Sequence, residues 1–142
     1  MTVNATEITS SEWEIMRVIW TKGPTDTNDI IAILQQKRDW TESTIKTLLR
    51  RLVNKNILTT TKTGRQFTYH ANLDEADAMT ETVDDVFGRL CNMNKGTAII
   101  DLIQSSELSQ ADVQKMQALL AEKIKTAPEK VACNCLPDDC DC

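Results

Sequence analysis

The residues best suited to chemistry in this chain are its cysteines, four of which fall within the last ten residues. They form the pattern Cys-x-Cys-x4-Cys-x-Cys at Cys133, Cys135, Cys140 and Cys142. Four thiolates in so short a segment are enough to close a tetrahedral Zn(II) site without another ligand. Soft thiolates also select Cu(I), which accepts two or three sulfurs and can form a compact two-copper cluster. The tail is therefore predicted to bind one Zn(II) or up to two Cu(I) per chain.

Other reactive side chains do not extend this pattern. Cys91 lies outside the motif and is predicted to be a buried core thiol near the fourth helix. The tail carboxylates Asp138, Asp139 and Asp141 are harder oxygen donors, so we interpret them as solubilising charge and not as ligands. The single histidine, His70, has no evident catalytic partner and is interpreted as structural. With no nucleophile–base pair and no glycine-rich phosphate loop, the chain is not expected to be an enzyme.

Composition indicates the cellular compartment of the protein, which sets the redox state of these thiols. The hydrophobic fraction of 41% and charged fraction of 26% are those of a globular protein. The N-terminal sequence MTVNATEITS has no basic or apolar signal region, and no apolar run approaches the roughly 20 residues that span a bilayer. We therefore expect a cytoplasmic protein without membrane contact. There, thiols stay reduced, and clustered cysteines more often bind metal than form disulfides.

Charge is unevenly distributed along the chain. The net charge is −5, yet the segment from Lys37 to His70 holds eight basic and two acidic residues, so the remainder is strongly acidic. This asymmetry predicts one basic face on an acidic molecule, and a local basic face matters more for nucleic acid than the overall charge. The basic residues are Lys37, Arg38, Lys46, Arg50, Arg51, Lys55, Lys62 and Arg65, and the acids are Asp39 and Glu42.

Helix and strand signals place this basic segment within a compact order of elements. A capping box at Thr9 and Glu12 begins the first helix, and Gly23-Pro24 ends it. A second helix begins near Asp26, and a third runs from about Thr41 to Lys55. The sequence ILTTTKTGRQFTYH then predicts a hairpin with its turn at residues 62–65. Trp40 lies between the second and third helices and is interpreted as a core residue, not as a DNA contact.

The third helix has one apolar and one basic side. Ile45, Leu48, Leu49 and Leu52 recur at helical spacing and predict its buried side. The opposite side holds Ser43, Lys46, Thr47, Arg50, Arg51 and Asn54, with no acid among them. A helix-turn-helix places such a helix in the DNA major groove, mainly by its N-terminal half.

Positions along that helix predict different DNA contacts. Lys46, Thr47 and Arg50 are the candidates for contacts to base edges. Residues further along the helix and at the hairpin tip are predicted to meet phosphate or an adjacent minor groove. These are Arg51, Asn54, Lys55, Lys62 and Arg65.

The fold class that follows is mainly α with a small β-hairpin. Residues 1–72 form a winged helix-turn-helix DNA-binding domain, and residues 126–142 form a flexible linker and metal-binding tail. Between them, residues 73–125 contain short amphipathic helices that cannot close a core of their own size. Since helices are stabilised by packing an apolar face, we expect this segment to be a homodimerisation module.

Several motifs together resemble the penicillinase-repressor family of winged-helix repressors. They are ITSSEWEIMRVIW, DIIAIL, WTESTIKTLLRRLVNKNIL and GRQFTYHANL, and the resemblance extends to about Lys125. It implies a homodimer that binds an inverted repeat of double-stranded operator DNA and represses transcription, with the C-terminal helices as the dimerisation module. The tail motif further resembles the copper-responsive, CopY-type members of that family. That resemblance implies a zinc-bound form that represses, a copper-bound form that leaves DNA, and a small copper chaperone as donor.

A charge count limits the mechanism of such a switch. Four thiolates with one Zn(II), or with two Cu(I), both leave a site charge of −2, so repulsion of DNA cannot explain release. We hypothesise that the zinc-folded tail braces the dimer at the half-site spacing of about 34 Å. Loss of that brace on copper exchange, with a coupling of about 1–3 kcal/mol, would weaken operator affinity roughly 5–150-fold.

Two alternatives remain open from sequence. The repressor could respond mainly to zinc or cadmium, since thiolates bind both. The chain could also be a thiolate metal buffer or metallochaperone without specific DNA binding, which would leave the basic side of the third helix unexplained.

Overall fold

A computed structural model of the chain describes residues 3–137. The chain divides into two compact units, residues 1–85 and residues 86–142. The boundary lies inside the fourth helix, whose first part belongs to the first unit. The three-part division at 72/73 and 125/126 stays a prediction.

The first unit contains three helices, a three-stranded sheet and the start of a fourth helix. A short 3-10 turn at Ala5–Glu7 precedes them. Helices α1, α2 and α3 span Ser10–Lys22, Thr27–Lys37 and Glu42–Asn54, and strands β1, β2 and β3 span Thr25–Asp26, Leu58–Thr63 and Gln66–Ala71; helix α4 spans Glu75–Gly88.

Side-chain caps explain where the first three helices begin. Thr9 accepts from the Glu12 backbone N–H while the Glu12 carboxylate accepts from the Thr9 N–H, so the predicted capping box is present. Asp26 caps α2 by accepting from the Asp29 N–H, and the Thr41 hydroxyl caps α3. Each cap satisfies a backbone donor that the first helical turn leaves unpaired. These local bonds place the start of α3, and therefore of its basic side, within one residue of the prediction.

The core of the first unit lies between the three helices and the base of the sheet. The four apolar residues predicted on the inner side of α3 are all buried. Trp40 packs against this core, as predicted. The buried core cluster consists of Ile15, Met16, Val18, Ile19, Ile30, Ile31, Leu34, Ile45, Leu48, Leu49, Leu52, Ile57 and Leu58.

The sheet contains the predicted hairpin and one strand that was not predicted. Strands β2 and β3 pair antiparallel from Leu58↔Ala71 to Thr63↔Gln66, and Gly64 occupies the turn at φ +64°, where glycine is strain-free. The two-residue strand β1 pairs with the other side of β3, giving the order β1-β3-β2. Sequence signals missed β1 because two residues are too few for any periodicity. With this addition the predicted fold class is confirmed.

The second unit is helical and has no buried residue within the part described, residues 86–137. It begins with the end of α4, and a 3-10 turn at Asn92–Asn94 leads into α5, Lys95–Ser105; α6 spans Gln110–Lys123. The apolar side chains predicted to pack against a second subunit are exposed in the isolated chain, with Leu119 65% and Ile124 75% accessible. Among the described residues, none of the helices has the length and apolar character needed to cross a bilayer.

Candidate nucleic-acid interface and cysteine cluster

The basic side of α3 faces solvent. Five of its six predicted residues are exposed; Thr47 is half-buried, and its hydroxyl donates to the Ser43 carbonyl at 3.0 Å. That bond leaves the oxygen of Thr47 able to accept, but its proton is used within the helix. Arg50, Arg51 and Asn54 extend the exposed side toward the end of α3.

Lys55, predicted to contact phosphate, makes its hydrogen bonds within the fold. Its ammonium group donates to both carboxylate oxygens of Glu12 and to the Glu7 backbone carbonyl, at 2.8 Å for the latter. Glu12 is completely buried. Burial raises the pKa of the Glu12 carboxyl, but hydrogen bonds from Lys55 and Thr9 outweigh it and hold the pKa below its ordinary value. Lys55 therefore joins the end of α3 to α1, and its charge is already matched within the fold.

Three further cations of the basic segment are also paired. Glu14 on α1 lies 3.3 Å from both Lys37 and Arg38 at the end of α2. Desolvation raises the pKa of Glu14. The hydrogen bonds and charges of Lys37 and Arg38 together lower it by more, so the pKa of Glu14 lies below its ordinary value. On α3 itself, Lys46 pairs with Glu42 at 2.7 Å, one turn earlier. An exposed pair of this kind is weak, so it leaves the Lys46 ammonium available to another partner.

Four cations of the basic segment remain without an ion pair among residues 3–137. They are Arg50 and Arg51 on α3, and Lys62 and Arg65 on the wing, which is the hairpin formed by β2 and β3. The Lys62 ammonium lies 5.5 Å from the centre of the Phe67 ring, close enough for a cation–π contact. Of the eight basic residues in this segment, the four that have no ion pair among the described residues therefore lie on α3 and the wing.

A groove of about 500 Å³ lies between α3, the wing and the start of α2. The predicted residues Lys46, Arg50 and Arg65 line it, so helix and wing contribute to one surface. Thr27 and Asn28 at the start of α2, and Gln66 on the wing, also line it and were missed by the sequence reasoning. The available signal was the Asp26 cap, since the helix before a recognition helix commonly crosses the DNA backbone.

His70 has the structural role predicted for it. Its ring Nε2 lies 2.9 Å from the Thr61 hydroxyl on the neighbouring strand, which joins the two strands of the wing.

The second candidate site is a cluster of three sulfurs in the second unit. The Sγ atoms of Cys91, Cys133 and Cys135 all lie within 4.8 Å of one another. Cys91 lies between α4 and the following 3-10 turn, so the prediction of a buried core thiol is wrong: it is only half-buried and lies against the tail. No spacing rule links residues 42 positions apart. Cys140 and Cys142, the other two predicted ligands, lie outside the described residues.

Hydrogen bonds polarise these sulfurs. The pKa of Cys91 is lowered because its thiolate accepts hydrogen bonds. The largest contribution comes from the Met93 backbone N–H, and the next comes from the Cys135 thiol. Donation to Cys91 raises the pKa of Cys135 in turn. Cys91 and Cys135 are free thiols, whereas the sulfur of Cys133 is in a disulfide. Reduction of Cys133 is therefore required before all three sulfurs can act as thiolate ligands.

The spacing of the sulfurs suits a thiophilic metal ion. Zn–S bonds of about 2.3 Å place two sulfurs of a tetrahedral site about 3.8 Å apart. The Sγ atoms of Cys91 and Cys133 are 3.6 Å apart. Once reduced, the cluster fits Zn(II) or Cu(I), both of which prefer soft sulfur.

Comparison with known proteins decides the family. Residues 8–122 match the family model described as penicillinase repressor. The chain belongs to the penicillinase repressor family. This penicillinase-repressor chain is 51% identical over 142 residues to an uncharacterized 16.5 kDa protein in the ptsI 3′ region of Latilactobacillus sakei, covering 100% of this chain and 97% of that one.

Another relative of this penicillinase-repressor chain is the methicillin resistance regulatory protein MecI of Mammaliicoccus sciuri. It is 30% identical over 117 residues, which is 82% of this chain and 95% of MecI. The solution structure of the DNA-binding domain of the repressor BlaI is 38% identical, with a TM-score of 0.49; the match covers 54% of this chain and 93% of that domain. The predicted resemblance to the penicillinase-repressor family is confirmed, and the relatives bearing functional names are regulators, not enzymes.

Proposed function

We propose that this protein is a metal-responsive transcriptional repressor that binds an inverted-repeat operator as a homodimer. Its zinc-bound form represses, and Cu(I) binding releases the DNA. Family membership supports the repressor activity. The observation that carries the metal response is the cluster of three sulfurs on a chain whose other unit exposes unmatched cations.

The proposed DNA interface combines α3 and the wing. Lys46, Thr47 and Arg50 contact base edges in the major groove, with Ser43 beside them at the start of the helix. Lys55 is left out because Glu12 already holds its charge. Phosphate contacts come from Arg51, Asn54, Lys62 and Arg65, with Thr27 and Asn28 as additions from α2.

The proposed homodimer rests on the exposed apolar side chains of α4, α5 and α6. Helices in water are stabilised mainly by burying an apolar face, yet residues 86–137 have no buried residue of their own. A second copy of the same helices supplies the missing surface, and a twofold dimer matches the symmetry of an inverted repeat.

The proposed metal ligands are the tail thiolates Cys133, Cys135, Cys140 and Cys142, holding one Zn(II) or up to two Cu(I) per chain. Because both metal states carry the same site charge, the switch works through coordination geometry. A small copper chaperone is the proposed donor, and the cytoplasm is the proposed location.

The test begins with selection of bound duplexes from a random DNA library by the zinc-loaded, reduced protein. A labelled selected duplex is then used in a mobility-shift assay titrated with Cu(I) and, separately, with further Zn(II). We expect an inverted-repeat consensus and release by copper at about 5–150-fold lower affinity, with no release by zinc. Failure to select any consensus contradicts DNA recognition, and release by zinc alone contradicts the copper response.

Cadmium tests the alternative that the repressor responds mainly to zinc or cadmium and not to copper. Release by Cd(II) or Zn(II) at lower free concentration than Cu(I) would assign the protein to the zinc or cadmium class. A metallochaperone without DNA recognition would bind Cu(I) yet enrich no sequence.

A further inference from the structure

Cys91 is the one cysteine that lies outside the tail, and the structure places it against the tail sulfurs. We propose that Cys91 is a ligand of the tail's metal, so that Cys91, Cys133 and Cys135 together hold one Zn(II) or Cu(I) within a single chain. This inference rests on the metal binding proposed above. It makes Cys91 a ligand alongside the tail thiolates and fixes the tail to the segment between α4 and α5.

The three sulfurs already lie at spacings close to those of a metal–thiolate site, although Cys133 must first be reduced. Cys91 Sγ donates to Cys133 Sγ at 3.6 Å, close to the sulfur–sulfur distance of about 3.8 Å in a tetrahedral zinc–thiolate site. Cys135 Sγ lies within 4.8 Å of both. Three thiolate sulfurs are also a sufficient set for Cu(I) once Cys133 is reduced.

Two further contacts order the cluster: one joins the Cys91 segment to the tail, and the other lies within the tail. The Asn92 backbone N–H donates to the Asn134 side-chain oxygen at 2.9 Å, which joins the neighbours of Cys91 and Cys133. The Cys135 backbone N–H donates to Cys133 Sγ at 3.4 Å, the kind of outer contact that orients a ligand sulfur. One polar contact, in addition to the approach of the sulfurs, therefore holds the tail against the Cys91 segment.

The consequence is a mechanical link that the tail motif alone lacks. A metal held only by the tail would fold the tail on itself. A metal that also binds Cys91 joins the tail to the helical unit that carries the exposed apolar side chains. Exchange of Zn(II) for Cu(I) then changes the coordination geometry at the point where the tail is attached to that unit.

The experiment maps the alkylation of each cysteine in the full-length protein. The protein is reduced with a thiol-free phosphine, loaded with one equivalent of Zn(II) or left metal-free, pulsed with N-ethylmaleimide, digested and analysed by mass spectrometry. We expect zinc to slow alkylation of Cys91 at least about 10-fold, together with that of Cys133 and Cys135. The variant with the four tail cysteines replaced by serine is expected to show no zinc protection of Cys91.

A second measurement uses Cys91→Ser, with Met93→Leu as the matched control that removes a neighbouring sulfur but no thiol. Cys91→Ser is expected to weaken Zn(II) affinity by at least about 10-fold in competition with a chromophoric chelator, because outer-shell losses alone reach about 10–100-fold. With Co(II) as the probe, it is also expected to reduce the sulfur-to-metal charge-transfer band by one thiolate's share. Met93→Leu is expected to match the wild type in both.

The outcomes separate this inference from the function on which it rests. If zinc protects the tail cysteines while Cys91 reacts at its metal-free rate, Cys91 is not a ligand, and the repressor proposal stands. Zinc protection of Cys91 in the tail-serine variant would also contradict the inference, since the protection would then not depend on the tail. If zinc protects no cysteine, zinc binding fails, and this inference falls together with the zinc-bound state of the proposed function, whereas DNA recognition is tested separately by duplex selection.

Discussion

The ammonium group of Lys55 lies 3.0 Å from Oε2 of Glu12, a carboxylate with no accessible surface. This pair joins the end of the helix proposed to read DNA to the first turn of α1. A buried carboxylate whose partner is removed keeps the desolvation penalty and loses the compensating charge. The position of α3 therefore depends on an ion pair that does not touch the proposed DNA surface.

Glu12→Gln is predicted to lower the free energy of unfolding by about 2 kcal/mol at pH 7, as expected for a lost hydrogen bond between charged groups. The pKa of Glu12 is lowered in the folded state, so its contribution is present above the unfolded pKa of about 4.3. It disappears as the pH falls through the folded pKa. Urea unfolding followed by circular dichroism should show the difference from wild type shrinking below about pH 5.

Glu42→Gln is the matched control for that substitution. It also removes an acid paired with a lysine, but both side chains are more than half exposed. We expect a change within about 0.5 kcal/mol and little added pH dependence. An equal loss in the two variants would contradict the role assigned to burial.

Arg50→Ala is predicted to weaken binding to the selected duplex by about 1–3 kcal/mol and to relax sequence preference. Arg50 is exposed on α3, lines the groove and has no ion pair among the described residues. The control is Lys37→Ala, which removes an equal charge already matched by Glu14. Fluorescence anisotropy at one fixed salt concentration compares them, and equal losses would mean that charge alone matters.

Arg65→Ala tests the wing separately. As a proposed phosphate contact, it is predicted to weaken binding by similar factors on selected and scrambled duplexes and to reduce the salt slope by about one. The measurement is the logarithm of the affinity against the logarithm of the salt concentration. A selective loss on one sequence would instead identify Arg65 as a base-reading residue.

Leu119→Glu is predicted to shift the protein from dimer to monomer in sedimentation velocity while leaving its helical circular dichroism largely intact. Leu119 is 65% exposed on α6, so the folded chain tolerates a charge there, but a dimer would bury it unpaired. Gln114→Glu adds the same charge to an exposed polar position of the same helix. Wild type sedimenting as a monomer at micromolar concentration would contradict the dimer proposal.

Sequence reasoning located the elements well because their signals are local. The caps at Thr9, Asp26 and Thr41 act within three residues of themselves, and the apolar spacing of α3 needs only one helix. What it missed depends on contacts between distant segments. Glu12 and Lys55 are 43 positions apart, and Cys91 and Cys133 are 42 apart. Tertiary contacts determine which cations lack an ion pair and which cysteine sulfurs lie close together, so neither can be found from local sequence signals.

Asp26 belongs to two elements at once, since it pairs with Thr68 as the end of β1 and caps α2 with its side chain. The base of the wing is therefore held in register with the helix that precedes α3. The tip around Gly64 lies outside that pairing and faces open space. For protein engineering, this makes the tip a replaceable segment: its length and charge can be changed to alter the strength of the proposed phosphate contacts while the stem keeps its alignment.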